Sequence, residues 1–162
     1  MIENPASIIT DFLQATSWPV PRSGPGAITH ERQAAPHEPH RLPDGKCAVY
    51  VFSLSTSYGS RCPAGANRAL KVGRVGPNSS PRFQYQHYKP RSAGSNLSRS
   101  LLRAQSRWPY LGISVLNEAQ VEHWIKENVD RDHFYLEGER TDLCAELERY
   151  IRARLGPVFE GG

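Results

Sequence analysis

The chain has 162 residues, 38% of them hydrophobic, and a formal net charge of +4. This length is enough for one folded unit with its own core, and three widely spaced cysteines argue against a disulfide framework and for a reducing compartment. Without a charged-then-apolar leader or an apolar run of about 18 residues, we expect a cytoplasmic protein with no membrane span.

Basic side chains are concentrated in the middle of the chain. Residues 45–117 contain eleven Lys or Arg and no Asp or Glu, whereas residues 118–162 contain six basic and eleven acidic side chains. This asymmetry predicts a nucleic-acid partner. Besides Arg82, the side chains expected to face phosphates are Arg74, Lys89, Arg91, Arg99 and Arg103. For Arg99 and Arg103, four residues apart on one helix face, a merely solvated basic face is the alternative.

Residues 1–44 are predicted to form a helix and an irregular arm. Asn4 is placed to cap a helix that begins at Pro5 and ends near Ser17. Residues 18–44 are rich in Pro, Gly and His and show no periodicity. The histidines of this arm are His30, His37 and His40. They lack the rigid spacing of a metal site, so we favour a solvated loop.

From residue 45 onward the pattern alternates between strands and helices. It predicts strands over 47–54 and 68–74, helices over 82–88 and from Asn96 to the Trp108-Pro109 pair, a strand over 110–116, a helix over 117–128, a short strand over 133–136 and a helix over 141–155. This order predicts an α/β fold over residues 45–162, with a small central β-sheet flanked by helices.

Hydrolysis of a phosphodiester needs a divalent cation held by a carboxylate, and the basic region has no carboxylate. The ligand must then come from the acidic C-terminal helix, where Glu146 and Glu148 are the candidates. They lie about 200° apart around a helix, so both cannot face one site. The helical pattern alone does not decide between them, and an exposed carboxylate is the alternative for either.

Several short motifs resemble those of the GIY-YIG nuclease superfamily. They are Ala48-Val49-Tyr50, Lys71-Val72-Gly73, the helix led by Arg82 and a glutamate in a late helix. The resemblance spans roughly residues 46–160. In that family the metal-binding glutamate typically stands nine residues before a proline, as Glu148 does before Pro157. The resemblance therefore favours Glu148 over Glu146 and implies a GIY-YIG-like catalytic domain over residues 45–162.

The resemblance also implies a function, namely a metal-dependent endonuclease with DNA as the expected substrate and Mg²⁺ or Mn²⁺ as cofactor. Glu148 would hold the metal, Arg82 would stabilise the phosphate, and Tyr50 would position or activate water. Lys71 stands where the family usually has tyrosine. Branches of the family with a K-I-G form of the second motif also carry a lysine there. His87 is a further candidate, as general base or DNA contact, although a solvated histidine is an equal alternative.

A different class of function competes with the nuclease. The lysine at position 71 and the basic surface also suit a catalytically inactive nucleic-acid-binding module, or a subunit of a larger complex whose partner selects the target. The small size of the chain leaves room for a protein partner or a homo-oligomer. The nuclease interpretation depends on the set Tyr50, Arg82 and Glu148.

Overall fold

A four-stranded antiparallel β-sheet organises the chain in the computed structural model, which describes residues 4–64, 67–94 and 96–159. Its strands are β1 (Thr29–Gln33), β2 (Lys46–Leu54), β3 (Ala69–Val75) and β4 (Val129–Glu137), in the spatial order β1-β4-β2-β3. The prediction of an α/β fold with one small sheet flanked by helices is confirmed.

Six α-helices surround this sheet in the described part of the chain. They are α1 (Pro5–Thr16), α2 (Thr56–Gly59), α3 (Leu97–Arg103), α4 (Trp108–Leu111), α5 (Glu118–Asn128) and α6 (Thr141–Leu155), with a π-helix over Arg82–Gln86 and a 3₁₀ turn over Gln105–Arg107. The amide side chains of Asn4, Asn96 and Asn117 accept hydrogen bonds from backbone N–H groups in the first turns of α1, α3 and α5. These caps confirm the helix starts expected from the sequence.

The sheet is covered on both faces, because alternate side chains of β2 enter two different cores. Val49 and Val51 pack with α1 and with Leu147 of α6, and we call this side the Val49 face. Tyr50 and Phe52 pack with the π-helix, α3 and α5, and we call this side the Tyr50 face. Within the described residues, no helix combines the length and the apolar character needed to cross a bilayer.

The prediction of an irregular arm over residues 18–44 is wrong at residues 29–33, which form β1. This strand lies before the expected boundary at residue 45, yet it pairs with β4 along its whole length. Its sequence is entirely polar, so the strand cannot be predicted from hydrophobic periodicity. On the Val49 face its side chains meet buried acids instead of apolar groups: His30 and Arg32 both bond to Asp132 of β4.

The strand expected over residues 110–116 is not formed. The helical turn α4 ends at Leu111, and Gly112 then turns the backbone with a φ of +67°. Residues 113–117 pair with no strand of the described sheet. Their alternation has another cause: Ile113 and Leu116 cover the core on the Tyr50 face while Val115 is 87% exposed.

Two further elements differ in length from the sequence prediction. The helix that begins after Asn96 ends at Arg103 instead of continuing to the Trp108-Pro109 pair. Strand β4 covers nine residues instead of the four expected over 133–136. The sequence hides its first half because consecutive charged residues there, among them Asp130 and Asp132, are buried.

Candidate functional site

A row of directly paired residues crosses the Tyr50 face from one edge of the sheet to the other. Glu31 of β1 is paired with His133 of β4, His133 with Tyr50 of β2, and Tyr50 with Gly73 of β3. Neighbouring strands are about 4.8 Å apart, so the row is roughly 15 Å long. A different group of polar side chains lies near each end of this row.

The group near β3 surrounds a cleft of about 350 Å³ at the edge of the sheet. The cleft is lined by Arg74, Val75, Gly76, Ser79, Arg82 and Glu148. Glu148 reaches it from α6 and is only 15% exposed. Its Oε2 accepts a hydrogen bond from Nε of Arg74 at 2.9 Å, and its Oε1 accepts one from Arg152 at 2.5 Å.

Glu146, the other candidate carboxylate, does not belong to this cleft. It is paired with Arg149, its neighbour on α6, at 2.7 Å. Arg149 is 72% exposed, so this pair is directed to solvent. Of the two carboxylates, only Glu148 is therefore brought next to Arg82.

Tyr50 is fully buried and is not among the residues that line the cleft, and its ring lies over the backbone of Gly73. A Cβ atom added at Gly73 would lie only 2.6 Å from Cζ of Tyr50. Burial raises the pKa of Tyr50, an effect that the nearby charge of Arg82 opposes and that of Glu148 reinforces. The phenol is thus neutral at ordinary pH, and within the described residues its hydroxyl makes no hydrogen bond of good geometry.

Lys71 lies one row further along the same face, opposite Phe52, and is only 2% exposed. Burial lowers the pKa of Lys71, as do the positive charges of Arg152 and Arg82, while Glu148 raises it. Lys71 therefore brings an amine to the Arg82 and Glu148 side of the sheet.

His87 follows the π-helix and packs against Tyr50, with ring centroids 4.7 Å apart. It is 1% exposed, so the alternative of a solvated histidine is wrong. Burial lowers the pKa of His87 far below its ordinary value, which makes the imidazole neutral. Because Nδ1 accepts a hydrogen bond from the Leu97 N–H at 3.3 Å, its proton is on Nε2.

Three further side chains predicted to bind phosphates are exposed, as Arg74 and Arg82 are. Lys89 lies over the ring of Tyr85, with Nζ 5.9 Å from the centroid. Arg91 is 88% exposed and pairs with Glu118 at 3.0 Å. Arg103 is in the last turn of α3 and is also exposed.

Arg99 is engaged differently from the other arginines. Its Nε donates to the carbonyl of Pro90 at 3.0 Å, one terminal nitrogen donates to Gly94 at 2.9 Å, and the other to Ser92. Both sides of its guanidinium fork are thus used to hold the loop before α3. This arrangement gives Arg99 a structural role that its position on a basic helix did not indicate.

The histidines of the N-terminal segment are all held by the fold, so the prediction of a solvated loop is wrong. His30 bonds to Asp132, and His37 is buried with Nε2 2.7 Å from the Tyr88 hydroxyl. His40 lies 3.0 Å from the hydroxyl of Tyr135.

The polar group near β1 was missed by sequence reasoning. Glu31, His40 and His133 each bring one potential ligand atom to it, and these atoms lie within 4.8 Å of one another. The residues are separated by 9 and 93 positions, so no local spacing indicates them. Glu31 is brought next to His133 by the pairing of β1 with β4. Strand β1 has no hydrophobic periodicity from which it could be predicted.

The comparisons with known proteins add no relative to these observations. Neither a protein-family model nor a curated protein nor a solved structure matches this chain. The functional argument therefore depends on the residues of the cleft.

Proposed function

We propose that this chain is a metal-dependent nuclease of the GIY-YIG type, which hydrolyses phosphodiester bonds in DNA at the β3 cleft. The observation that carries the proposal is the meeting of three groups. Arg82 and Glu148 line one cleft, and both act electrostatically on the buried phenol of Tyr50. These groups come from the π-helix, from α6 and from β2, and they are the three groups that the resemblance assigns to catalysis.

Arg82 supplies the contact to the phosphate. Its side chain lines the cleft, and residue 82 is exposed. A guanidinium offers paired N–H donors that match two phosphate oxygens and stabilise the charge that develops on them. Lys71 adds a second cationic group on the same side, at the position where a tyrosine is usual in the resembled family.

Glu148 fits the role of ligand to Mg²⁺ or Mn²⁺. Mg²⁺ is commonly bound by one or two carboxylates together with substrate phosphate and water, so a single carboxylate beside a phosphate site is sufficient. A cation that Glu148 held there would polarise the phosphate. Arg74 bonds to the same carboxylate, and its own side chain is 49% exposed whereas Glu148 is 15% exposed. Once a cation takes its place on Glu148, the exposed guanidinium of Arg74 becomes available to the DNA backbone.

Tyr50 acts on water as a neutral hydroxyl. Its pKa is raised by burial, so it orients the attacking water and does not supply a free phenolate. His87 is not the base in this scheme, because the lone pair on Nδ1 is used by the Leu97 N–H and Nε2 carries the proton. We assign His87 the role of packing against Tyr50.

A second function is favoured by one specific observation. Both carboxylate oxygens of Glu148 are engaged by arginines, Arg74 and Arg152. If these pairs persist when DNA binds, the cleft is a basic groove without a metal. The chain is then a nucleic-acid-binding module that does not cleave.

A plasmid assay distinguishes the two functions. Supercoiled DNA is incubated with the protein in Mg²⁺, in Mn²⁺ and in EDTA, and binding is measured in parallel by gel shift. The nuclease produces nicked or linear plasmid only with metal. Binding in EDTA without cleavage in either metal favours the binding module, and the absence of both activities contradicts both functions.

A further inference from the structure

The hydroxyl of Tyr135 is the centre of the polar group near β1. Oη of Tyr135 lies 3.0 Å from Oε2 of Glu31, 3.0 Å from Nε2 of His40 and 3.3 Å from Nδ1 of His133. The oxygen of Glu31 and the nitrogen of His40 are themselves 3.8 Å apart. One carboxylate and two imidazoles thus converge on one point.

The hydrogen bonds do not satisfy all members of this group. A hydroxyl donates one proton, and Tyr135 gives it to Glu31, so both histidines must donate to its oxygen. His133 then has no partner for its Nε2 within the described residues, although the whole side chain is buried.

His40 is oriented by a second contact, which holds its ring toward the centre. Nε2 of Gln33 lies 2.5 Å from Nδ1 of His40, on the opposite side of the ring from Tyr135, so without an ion Nδ1 accepts this hydrogen bond and the proton of His40 is on Nε2. A metal-bound histidine donates through its second nitrogen, so with an ion on Nε2 the Gln33 amide would turn to present Oε1, which has no partner within the described residues, to the Nδ1–H group. The side chains of Glu31 and His40 are 47% and 32% exposed, so an ion can enter from solvent.

We propose that Glu31, His40 and His133 form a site for a transition-metal dication such as Zn²⁺, with the Tyr135 oxygen or a water in the fourth position. A tetrahedral zinc site places its ligands about 2.0–2.2 Å from the ion, which puts them roughly 3.3–3.6 Å apart. The separation of 3.8 Å between Glu31 and His40 is close to that value, and all three ligand atoms lie within 4.8 Å of one another, so a small inward movement completes the site. Two imidazoles favour Zn²⁺, Co²⁺ or Ni²⁺ over Mg²⁺, which prefers oxygen ligands.

This site does not depend on the proposed nuclease. The metal site is near β1, on the other side of His133 from Tyr50, whereas the cleft is at β3 on the opposite edge of the sheet. No residue belongs to both sites. The metal site takes its ligands from β1, from His40 of the following loop and from β4. The ion would link β1 and the loop that follows it to β4.

Titration with Co²⁺ alone tests the site, because tetrahedral Co²⁺ absorbs visible light strongly and octahedral Co²⁺ does so weakly. We expect one equivalent of tightly bound Co²⁺, displaced by Zn²⁺ and not by excess Mg²⁺. His40→Gln, which retains a hydrogen-bonding group beside Tyr135, should lose at least tenfold in affinity. Glu31→Gln should weaken binding in the same direction. Backbone amides of residues 29–42 should exchange at least tenfold more slowly when Zn²⁺ is bound.

His123→Gln is the matched control, because His123 is exposed on α5 and lies outside the group. It should bind Co²⁺ as the parent does, and so should Glu148→Gln, which separates this site from the cleft. The proposal is overturned if the parent shows no tetrahedral absorption. It is also overturned if His40→Gln and Glu31→Gln, folded by circular dichroism, bind Co²⁺ as tightly as the parent.

Discussion

The ring of Tyr50 occupies the space that a side chain at position 73 would need. The two residues are directly paired across β2 and β3, and a Cβ at Gly73 would lie 2.6 Å from Cζ of Tyr50 and 2.9 Å from Cε2. Real Cβ atoms essentially never lie this close to non-bonded atoms, so the ring must move if the glycine is replaced. The glycine thus serves the placement of the phenol and not a turn, because its φ is not in the left-handed region.

The first prediction is that Gly73→Ala both destabilises the fold and impairs cleavage. Inserting a methyl into a packed core costs about 1–3 kcal/mol. Displacing the Tyr50 hydroxyl also removes the group that orients water. Urea denaturation and the plasmid assay measure the two effects.

Gly76→Ala is the control for stability, since a Cβ at Gly76 meets no atom within 4 Å and its φ is not positive. Its free energy of unfolding should remain within about 0.5 kcal/mol of the parent. Equal stability of Gly73→Ala and Gly76→Ala would show that Tyr50 does not occupy this position.

The second prediction concerns the metal ligand. Glu148→Gln preserves the shape of the side chain but removes the charge that recruits Mg²⁺, so cleavage should fall by at least about 100-fold. DNA affinity in EDTA should be unchanged or higher, because a negative charge is lost and Arg74 is released from its partner. A gel-shift titration and a nicking time course provide the two measurements.

Glu146→Gln is the matched control on the same helix. Its carboxylate pairs with Arg149 at the surface, so its loss should change cleavage less than twofold. The assignment fails if Glu148→Gln cuts as fast as Glu146→Gln does.

The elements that could be predicted from sequence are those with an apolar pattern. Strands β2 and β3 and helix α6 have buried apolar residues at the expected spacing. Of the five side chains that the sequence suggested for catalysis, Arg82 and Glu148 line the cleft, and Tyr50, Lys71 and His87 are not among its lining residues. The choice of Glu148 over Glu146 came from a resemblance and not from periodicity. In the structure it is Glu148 that lines the cleft with Arg82.

The other edge of the sheet could not be predicted, because polar pairs replace the apolar pattern there. Asp132 is fully buried but paired with His30 and Arg32, so β1 and β4 satisfy each other across a long separation in sequence. A single sequence contains no sign of that pairing. The structural role of Arg99 could not be predicted either, because the pattern of residue types does not indicate which side chains donate to backbone carbonyls.

The third prediction separates arginines that bind DNA from one that holds a loop. Five side chains of the basic surface remain candidates for phosphate contacts: Arg74, Arg82, Lys89, Arg91 and Arg103. If each neutralises one phosphate, log K should fall against log salt with a slope of about −4.5. Arg103→Ala should make the slope less steep by about 0.9, with little change in stability.

Arg99→Ala should behave in the opposite way. It removes a donor from three carbonyls, of which that of Ser92 still accepts from the Asn96 amide, so we expect a loss of about 1–2 kcal/mol in the free energy of unfolding and an unchanged salt slope. Fluorescence anisotropy at several salt concentrations and urea denaturation measure the two quantities. A reduced slope for Arg99→Ala at parental stability would return this residue to the DNA-binding surface.

The last prediction is a loss of stability in mild acid that comes in part from His37. Burial lowers the pKa of His37 to about 4, with the positive charge of Arg131 acting in the same direction and Glu38 opposing it. In the unfolded chain the pKa is the ordinary 6.5, so between these values the unfolded state binds more protons. The contribution of His37 to stability is therefore complete above pH 6.5 and declines as the pH falls toward 4.

His37→Gln tests this contribution, because an amide can keep the hydrogen bond to the Tyr88 hydroxyl but does not titrate. Urea denaturation is measured for parent and variant at about pH 7 and about pH 5. Each unit of difference in pKa corresponds to about 1.4 kcal/mol, and residual solvent access reduces the full effect to no more than about 3 kcal/mol. The parent should lose more stability than the variant between the two pH values. Part of the acid sensitivity should remain in the variant, because burial also lowers the pKa values of His87 and His133. Identical losses in parent and variant would show that His37 is protonated equally in the folded and unfolded chains.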